Sequence, residues 1–320
     1  MKKILIVVSI ALLVLVGCSS ESADKLTVAV SIVPEETFVK AVAGDLVDIV
    51  VMIPPGSSPA NYQPSPQEMA KFNESKVYFH IDVAAEKHIL QSVNNDVKLI
   101  DLAERVDEIY PARYFEEHEE ESDHEEHEED LDHDEHDEDL DHDEDLDHDE
   151  DLDHEGHNHI GRDPHIWLSP KRAMVMVEVI RDELSSIDPD NKEIYAENAK
   201  AYLLSLESLD EYLQSSFDDG NSKFIMYHPS MGYFADDYDL DMYAIESEGK
   251  QATAKDLEDV IVLAKSENIK YVFYQEEFDA SQAEIVAKEI GGETIKVAPL
   301  SGDYINNLKS IATKMLSTFE

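Results

Sequence analysis

Basic residues are scarce in this chain: 25 Lys and Arg stand against 73 Asp and Glu among 320 residues, a formal charge of −48. Phosphate backbones are held by clustered Lys and Arg, so nucleic acid is excluded as a partner and cations are the natural ligands. Cysteine is scarcer still. The only one is Cys18, so no disulfide can form within the chain, and core packing must hold the fold. Glycine is also low, 11 residues. No phosphate-cradling glycine loop occurs, and neither HExxH nor GxSxG is present, which removes the common hydrolase and nucleotide-binding classes. The acidic pairs Asp236-Asp237 and Glu276-Glu277 read as solvated surface in such a composition, not as acid–base groups.

What is present begins with a leader. Lys2 and Lys3 precede an apolar run, Ile4 to Val16, of 13 residues. That is short of the roughly 20 needed to span a bilayer and has the build of a secretory signal peptide, residues 1–18. Leu15-Val16-Gly17-Cys18 resembles a prokaryotic lipobox, in which the cysteine becomes the lipidated first residue. The expected place is therefore the outer face of the cell membrane, with the chain anchored by lipid on Cys18.

After a polar tether, β-branched runs alternate with helical patterns. KLTVAVSIVP, VDIVVMIP (47–54), KVYFHI (76–81) and VKLIDL (97–102) read as strands. Glu35 to Ala43 and Gln67 to Asn73 read as helices, and PPGSSPANYQPSP (54–66) as a loop. The strands are apolar nearly throughout, as strands buried on both faces of a parallel sheet must be. This N-terminal α/β lobe spans 25–115 and finishes at 160–169. A long linker helix is expected over 170–187. The C-terminal lobe, 188–320, opens with a second helix to about Phe217, whose stripe runs Tyr195, Ala199, Tyr202, Leu206, Leu209, Leu213. The alternation then restarts with strands at 223–229, 240–245, 269–275 and 293–299. Helices are expected at 253–266, at 280–290 and from about Asp303. The expected fold class is α/β: two lobes with parallel sheets, joined by a long linker helix, with a cleft between them where small ligands sit.

Between the two parts of the first lobe lies a different kind of sequence. Residues 116–159 hold 27 acidic residues, ten histidines and no Lys or Arg. The hexapeptide DLDHDE starts at 130, 139 and 145, and DLDHEG at 151. So few apolar residues cannot offset the entropy of ordering, and a disordered loop is expected. Its histidines are His118, His124, His127, His133, His136, His142, His148, His154, His157 and His159. Imidazole favours zinc, nickel or copper over calcium and magnesium, so the loop is expected to collect such ions weakly and raise their local concentration.

Four histidines remain: His80, His88, His165 and His228. His165 sits in Asp163-Pro164-His165-Ile166-Trp167, and His228 in Tyr227-His228-Pro229 at the end of an apolar strand. With PPGSSPANYQPSP, DPHIWLSP, YHPSMGYFADDYDL, IESEGKQATAKDL and VFYQEEF in this order, residues 25–318 resemble the substrate-binding lipoproteins of zinc and manganese ABC transporters (cluster A-I, zinc uptake type). The resemblance implies two lobes on one rigid helix and a metal held between them by three His and often a carboxylate. His165 and His228 match two of those positions. Ala60 stands where the family's first-loop His is usual, and Ala298 where its late Asp is usual. His80, Gln275 and Asp303 are the candidate replacements, with Gln63 behind them. By resemblance the protein is a monomer that carries zinc, with manganese as the alternative, to an ABC permease and its cytoplasmic ATPase. A membrane-anchored metal buffer is the alternative function, and a metal-assisted hydrolase would need an open coordination position and a general base that the sequence does not display.

Overall fold

The computed structural model describes residues 25–115, 161–218, 222–246 and 252–319. The leader with Cys18 and the acidic segment with its ten histidines lie outside these residues. In the first half, β1 (Leu26–Val30) leads to α1 (Val33–Ala43), β2 (Val47–Val51), α2 (Pro66–Phe72), β3 (Val77–His80), α3 (Glu86–Leu90), β4 (Lys98–Asp101) and α4 (Leu102–Asp107). A 3-10 turn, Ile166–Leu168, precedes α5 (Pro170–Ile187), and another, Pro189–Asn191, separates it from α6 (Lys192–Ser216). The second half runs β5 (Ser222–Met226), α7 (Gly232–Asp237), β6 (Leu240–Ala244), α8 (Ala254–Ser266), β7 (Tyr271–Gln275), α9 (Ser281–Glu289), β8 (Glu293–Val297) and α10 (Tyr304–Leu316).

The strands form two four-stranded sheets, in the orders β2-β1-β3-β4 and β6-β5-β7-β8, with every pairing parallel. This is the α/β class that the alternating pattern predicts. In both sheets the chain steps outward on one side of the first strand and then returns to its other side. The crevice beyond the carboxyl ends of β1 and β3, and of β5 and β7, is therefore a topological switch point, where open α/β sheets take their ligands. Strand ends are shorter than predicted where proline follows. β8 stops at Val297, ahead of Pro299, which has no N–H to give a ladder.

Helix α5 starts where Ser169 accepts a hydrogen bond from the Arg172 backbone N–H (3.1 Å) and Pro170 takes the first helical position, both favourable starts. Its 18 residues reach about 27 Å. The stripe Ala173, Met176, Val177, Ile180 and Leu184 is buried. α5 packs on α1, α4 and α6, while α6 packs on α1 and α10. One hydrophobic core thus runs from Val28 and Phe79 in the first sheet, through Trp167 and Met176, to Phe224 and Phe273 in the second. Phe38 meets Tyr304 edge to face at 5.0 Å between ring centroids, so the lobes are packed together and not merely tethered.

One member of each acidic pair departs from expectation. Asp237 is not a solvated surface group: it accepts from Arg172 (3.1 Å) and from the Ser169 hydroxyl and lies 3.8 Å from Lys171. It ties α7 to the start of α5. Glu277 is likewise largely withdrawn from water, which raises its carboxyl pKa. Among the described residues no helix is long and apolar enough to cross a membrane.

Candidate metal centre

The interlobe crevice is a cavity of about 520 Å³ lined from both lobes. His165 reaches it from the turn before α5, and His228 from just beyond β5, two residues past its last strand position. Their Nε2 atoms face each other at 3.1 Å. Two nitrogens bound to one tetrahedral ion at 2.0–2.1 Å stand about 3.3 Å apart, so the pair is already at ligand spacing.

Each ring is oriented from behind. Asp163 Oδ1 lies 2.7 Å from His165 Nδ1 and also accepts the His165 backbone N–H at 3.0 Å. Glu246 Oε1, at the end of β6, is hydrogen-bonded to His228 Nδ1. A carboxylate on Nδ1 assigns the proton to that nitrogen and leaves Nε2 a bare lone pair. Two lone pairs aimed at one point are a cation's binding geometry. Burial holds the His228 imidazole below the usual histidine range, the Glu246 bond opposing this without reversing it. The ring is therefore neutral, the form a metal needs. Phe278 stacks on His228 with centroids 4.7 Å apart, and Trp167 stands 5.1 Å from His165. These contacts fix both ring planes.

A further layer holds Asp163. Arg113 Nε is 3.4 Å from its Oδ2, and the Tyr233 hydroxyl donates to its backbone carbonyl at 3.0 Å. Gly232 makes this approach possible, since a Cβ there would stand 2.0 Å from Arg113 Nε and 2.7 Å from Asp163 Oδ2. On the far side, Trp167 Nε1 donates to the Pro299 carbonyl (3.1 Å) and the Tyr304 hydroxyl donates to the Trp167 carbonyl (2.6 Å). Both bonds cross between lobes beside the cleft.

The other candidates are placed differently. Gln275, the last residue of β7, lines the cleft and is 5% exposed; its Nε2 is buried without a hydrogen-bond partner among the described residues. Ala60 also lines the cleft and brings no ligand to it. His80 ends β3 but is not among the residues lining the cavity; its Nδ1 lies 3.7 Å from the buried Glu86, and burial lowers its pKa. Asp303 heads α10, bonded to Asn306 (3.0 Å), and does not line the cavity either. Gln63 is likewise absent from the lining. Among the described residues no group of three or more His, Cys, Asp or Glu is placed to hold a metal ion. Sequence reasoning read Asp163 and Glu246 only as parts of the DPHIW and IESEGK motifs and gave neither a role at the centre.

The N-lobe wall carries a buried acidic cluster, of which Glu86 lines the cleft. Glu86 accepts from the backbone N–H groups of Ile81 (3.0 Å) and Asp82 (2.7 Å) and from the Ser31 hydroxyl. Burial outweighs these bonds and pushes its pKa up to about 8. Glu35, accepting from Ser31 N (2.9 Å) and Ile32 N (3.0 Å), is raised well above the carboxylate range by the same burial and by Glu86. Burial thus favours the protonated form of both carboxyls.

Fold and site together define a two-lobed α/β solute-binding protein with a bis-imidazole centre at the interlobe cleft. The family follows from comparison: the family model described as "ZnuA: Zinc-uptake complex component A periplasmic" matches residues 28–317, and the chain belongs to that family. It is 31% identical over 307 residues to the zinc-binding lipoprotein AdcA of Streptococcus pneumoniae, covering 94% of this chain and 56% of that protein. It is 29% identical over 299 residues to the high-affinity zinc uptake system protein ZnuA of Bacillus subtilis, covering 89% and 82%. A crystal structure of ZnuA, 32% identical, superposes with a TM-score of 0.76 over 93% of this chain and all of that one. The chain spans about half the length of the streptococcal relatives.

Proposed function

We infer that this protein captures a divalent transition metal, zinc before manganese, outside the cytoplasmic membrane and passes it to an ABC permease driven by a cytoplasmic ATPase. It makes and breaks no covalent bond. The observation that carries this reading is the pair of Nε2 atoms 3.1 Å apart, each ring oriented by its own carboxylate. The zinc-binding and zinc-uptake names of its relatives support the choice of metal. His165 and His228 hold the ion, and Gln275 is the third side chain the cleft presents to what is bound. A lipid on Cys18 would keep the monomer at the membrane.

The acidic His-rich segment is the collecting part of the same device. Its flanks, Phe115 and Gly161, both line the cleft, so ions gathered there are delivered beside the imidazoles. Trp167 is the only tryptophan and abuts His165, so its emission separates cleft binding from binding elsewhere. Zinc should shift that emission in one tight phase, lost in the His165→Ala/His228→Ala protein. A wild-type emission indifferent to zinc and to manganese would refute the reading. Deleting 116–159 should remove weakly bound zinc and leave the Trp167 response. An unchanged capacity for weakly held zinc would end the collecting role.

A further inference from the structure

Two imidazoles do not complete any common coordination shell. Tetrahedral zinc needs two more donors, and an octahedral ion needs four. The described residues offer no third His, Cys, Asp or Glu at the centre. Ala60, on the loop wall facing the imidazoles' cavity, leaves space where a side chain could have stood. The described residues therefore leave coordination positions open on any ion held by the pair.

The cavity has room for donors to fill them. Its volume of about 520 Å³ lies in the range of sites that enclose small organic molecules, and each water completing a bare ion's shell would need only about 30 Å³. Much of its wall is apolar, with Val83, Leu90, Phe115 and Leu300 facing the space in front of the imidazoles. Its polar lining carries both signs: Asp82 stands 3.9 Å from Arg162, and Glu86 accepts from the backbone N–H groups of Ile81 and Asp82. Gln275 presents a buried N–H donor with no partner, which calls for an acceptor. Lys87 lines the rim, exposed and without an ion pair among the described residues. A lysine repels a bare cation and attracts an anion.

We propose that the cleft takes its metal as an anionic chelate, a zinc ion already held by a small carboxylate-bearing organic ligand, with His165 and His228 filling the last two positions. Gln275 Nε2–H donates to a carboxylate of the chelator, and Lys87 faces its net negative charge. The proposal rests on the metal reading of this cleft and specifies the form in which the metal is bound.

The test uses the mature full-length protein, zinc, and radiolabelled nitrilotriacetate. This chelator supplies one nitrogen and three carboxylates, leaves two neighbouring positions open on an octahedral ion, and gives a complex of charge −1. Equilibrium dialysis reads bound label, and Trp167 emission reads the cleft. Imidazoles of 116–159 will also take the chelate, so the quantity read is the difference between wild type and the His165→Ala/His228→Ala protein. The wild type should hold one further equivalent of label, only when zinc is present, and Lys87→Glu should weaken that equivalent severalfold. Ala60→His supplies a protein ligand from the open wall. It should tighten bare zinc at least tenfold and displace the chelator, and it keeps the test decisive if the double variant fails to fold. If bare zinc shifts Trp167 emission but wild type and double variant hold equal label, the chelate proposal is overturned and the metal reading stands. If neither zinc nor its chelate moves Trp167 emission, both are overturned.

Discussion

Replacing Glu86 by Gln should change how stability depends on pH, and the structure sets both sign and size. Glu86 is 1% exposed and its pKa is about 8 in the folded protein, against an ordinary value of 4.5. The unfolded chain releases this proton near 4.5, whereas the folded chain keeps it to about 8. Stability from this group is therefore complete below the lower value and declines as pH rises toward the upper one. The slope is roughly 1.4 kcal/mol per pH unit, so between pH 5 and pH 8 the wild type should lose about 3 kcal/mol through this one carboxyl. A glutamine cannot titrate, but it carries a separate cost. Both carboxyl oxygens accept a backbone N–H, from Ile81 and from Asp82, so the amide NH₂ must face one of these donors. That costs about 1–3 kcal/mol at every pH. The variant should thus be the less stable protein at pH 5 and the more stable one at pH 8, the curves crossing between about pH 5 and 7. Urea denaturation of both proteins at four pH values, with metal removed, measures the difference directly. Two parallel curves would mean that Glu86 ionises normally in the fold, and the reasoning from burial would be wrong.

Three other variants probe the supports of the centre. Glu246→Gln keeps an acceptor for His228 Nδ1 but removes its charge, and zinc affinity read by Trp167 emission should fall about 10- to 100-fold. Gly232→Ala drives a methyl group onto Arg113 and Asp163; stability should fall by about 1–3 kcal/mol in urea, and zinc affinity roughly tenfold. Ser169→Ala removes the cap of α5 and a partner of Asp237, and should cost about 1 kcal/mol or somewhat more by the same assay, with zinc affinity unchanged.

The sequence carried the frame of this molecule in its apolar runs. LTVAV and KFIM read as strands and their later residues are buried, VDIVV reads as a strand but stands at a sheet edge with Asp48 exposed, and the stripes of α5 and α6 serve packing. The short helices α3, α4 and α7 escaped notice because five or six residues make too little pattern, and tertiary contacts stabilise them more than propensity does. At the site, His165 and His228 were legible because each stands in a motif at a strand or helix boundary. His80 shows the limit of that logic. It also ends a strand, but a parallel strand is buried on both faces, so alternation says nothing about which side opens to the cleft. Glu246 stands in the IESEGK motif, but its role was not legible: its partner His228 is 18 residues away, and only the register of β6 against β5 brings them together. Asp237 was misread because acidic composition says nothing about the Arg172 and Ser169 that surround one particular acid.

The stem of the acidic segment carries a consequence for how this chain can change over generations. Tyr114 and Arg162 form an antiparallel bridge, Phe115 N–H donates to the Gly161 carbonyl at 2.7 Å, and Asp163 N–H donates to the Arg113 carbonyl at 2.8 Å. The two chain ends that flank the acidic segment are thus held side by side by backbone hydrogen bonds. Doubling the length of such a connection costs only about 0.6 kcal/mol in closure entropy. On that scale, adding or removing one DLDHDE copy should change folding stability by less than about 0.6 kcal/mol. The length of that segment and the geometry of the His165–His228 pair can therefore vary independently, because the stem fixes the separation of its two ends.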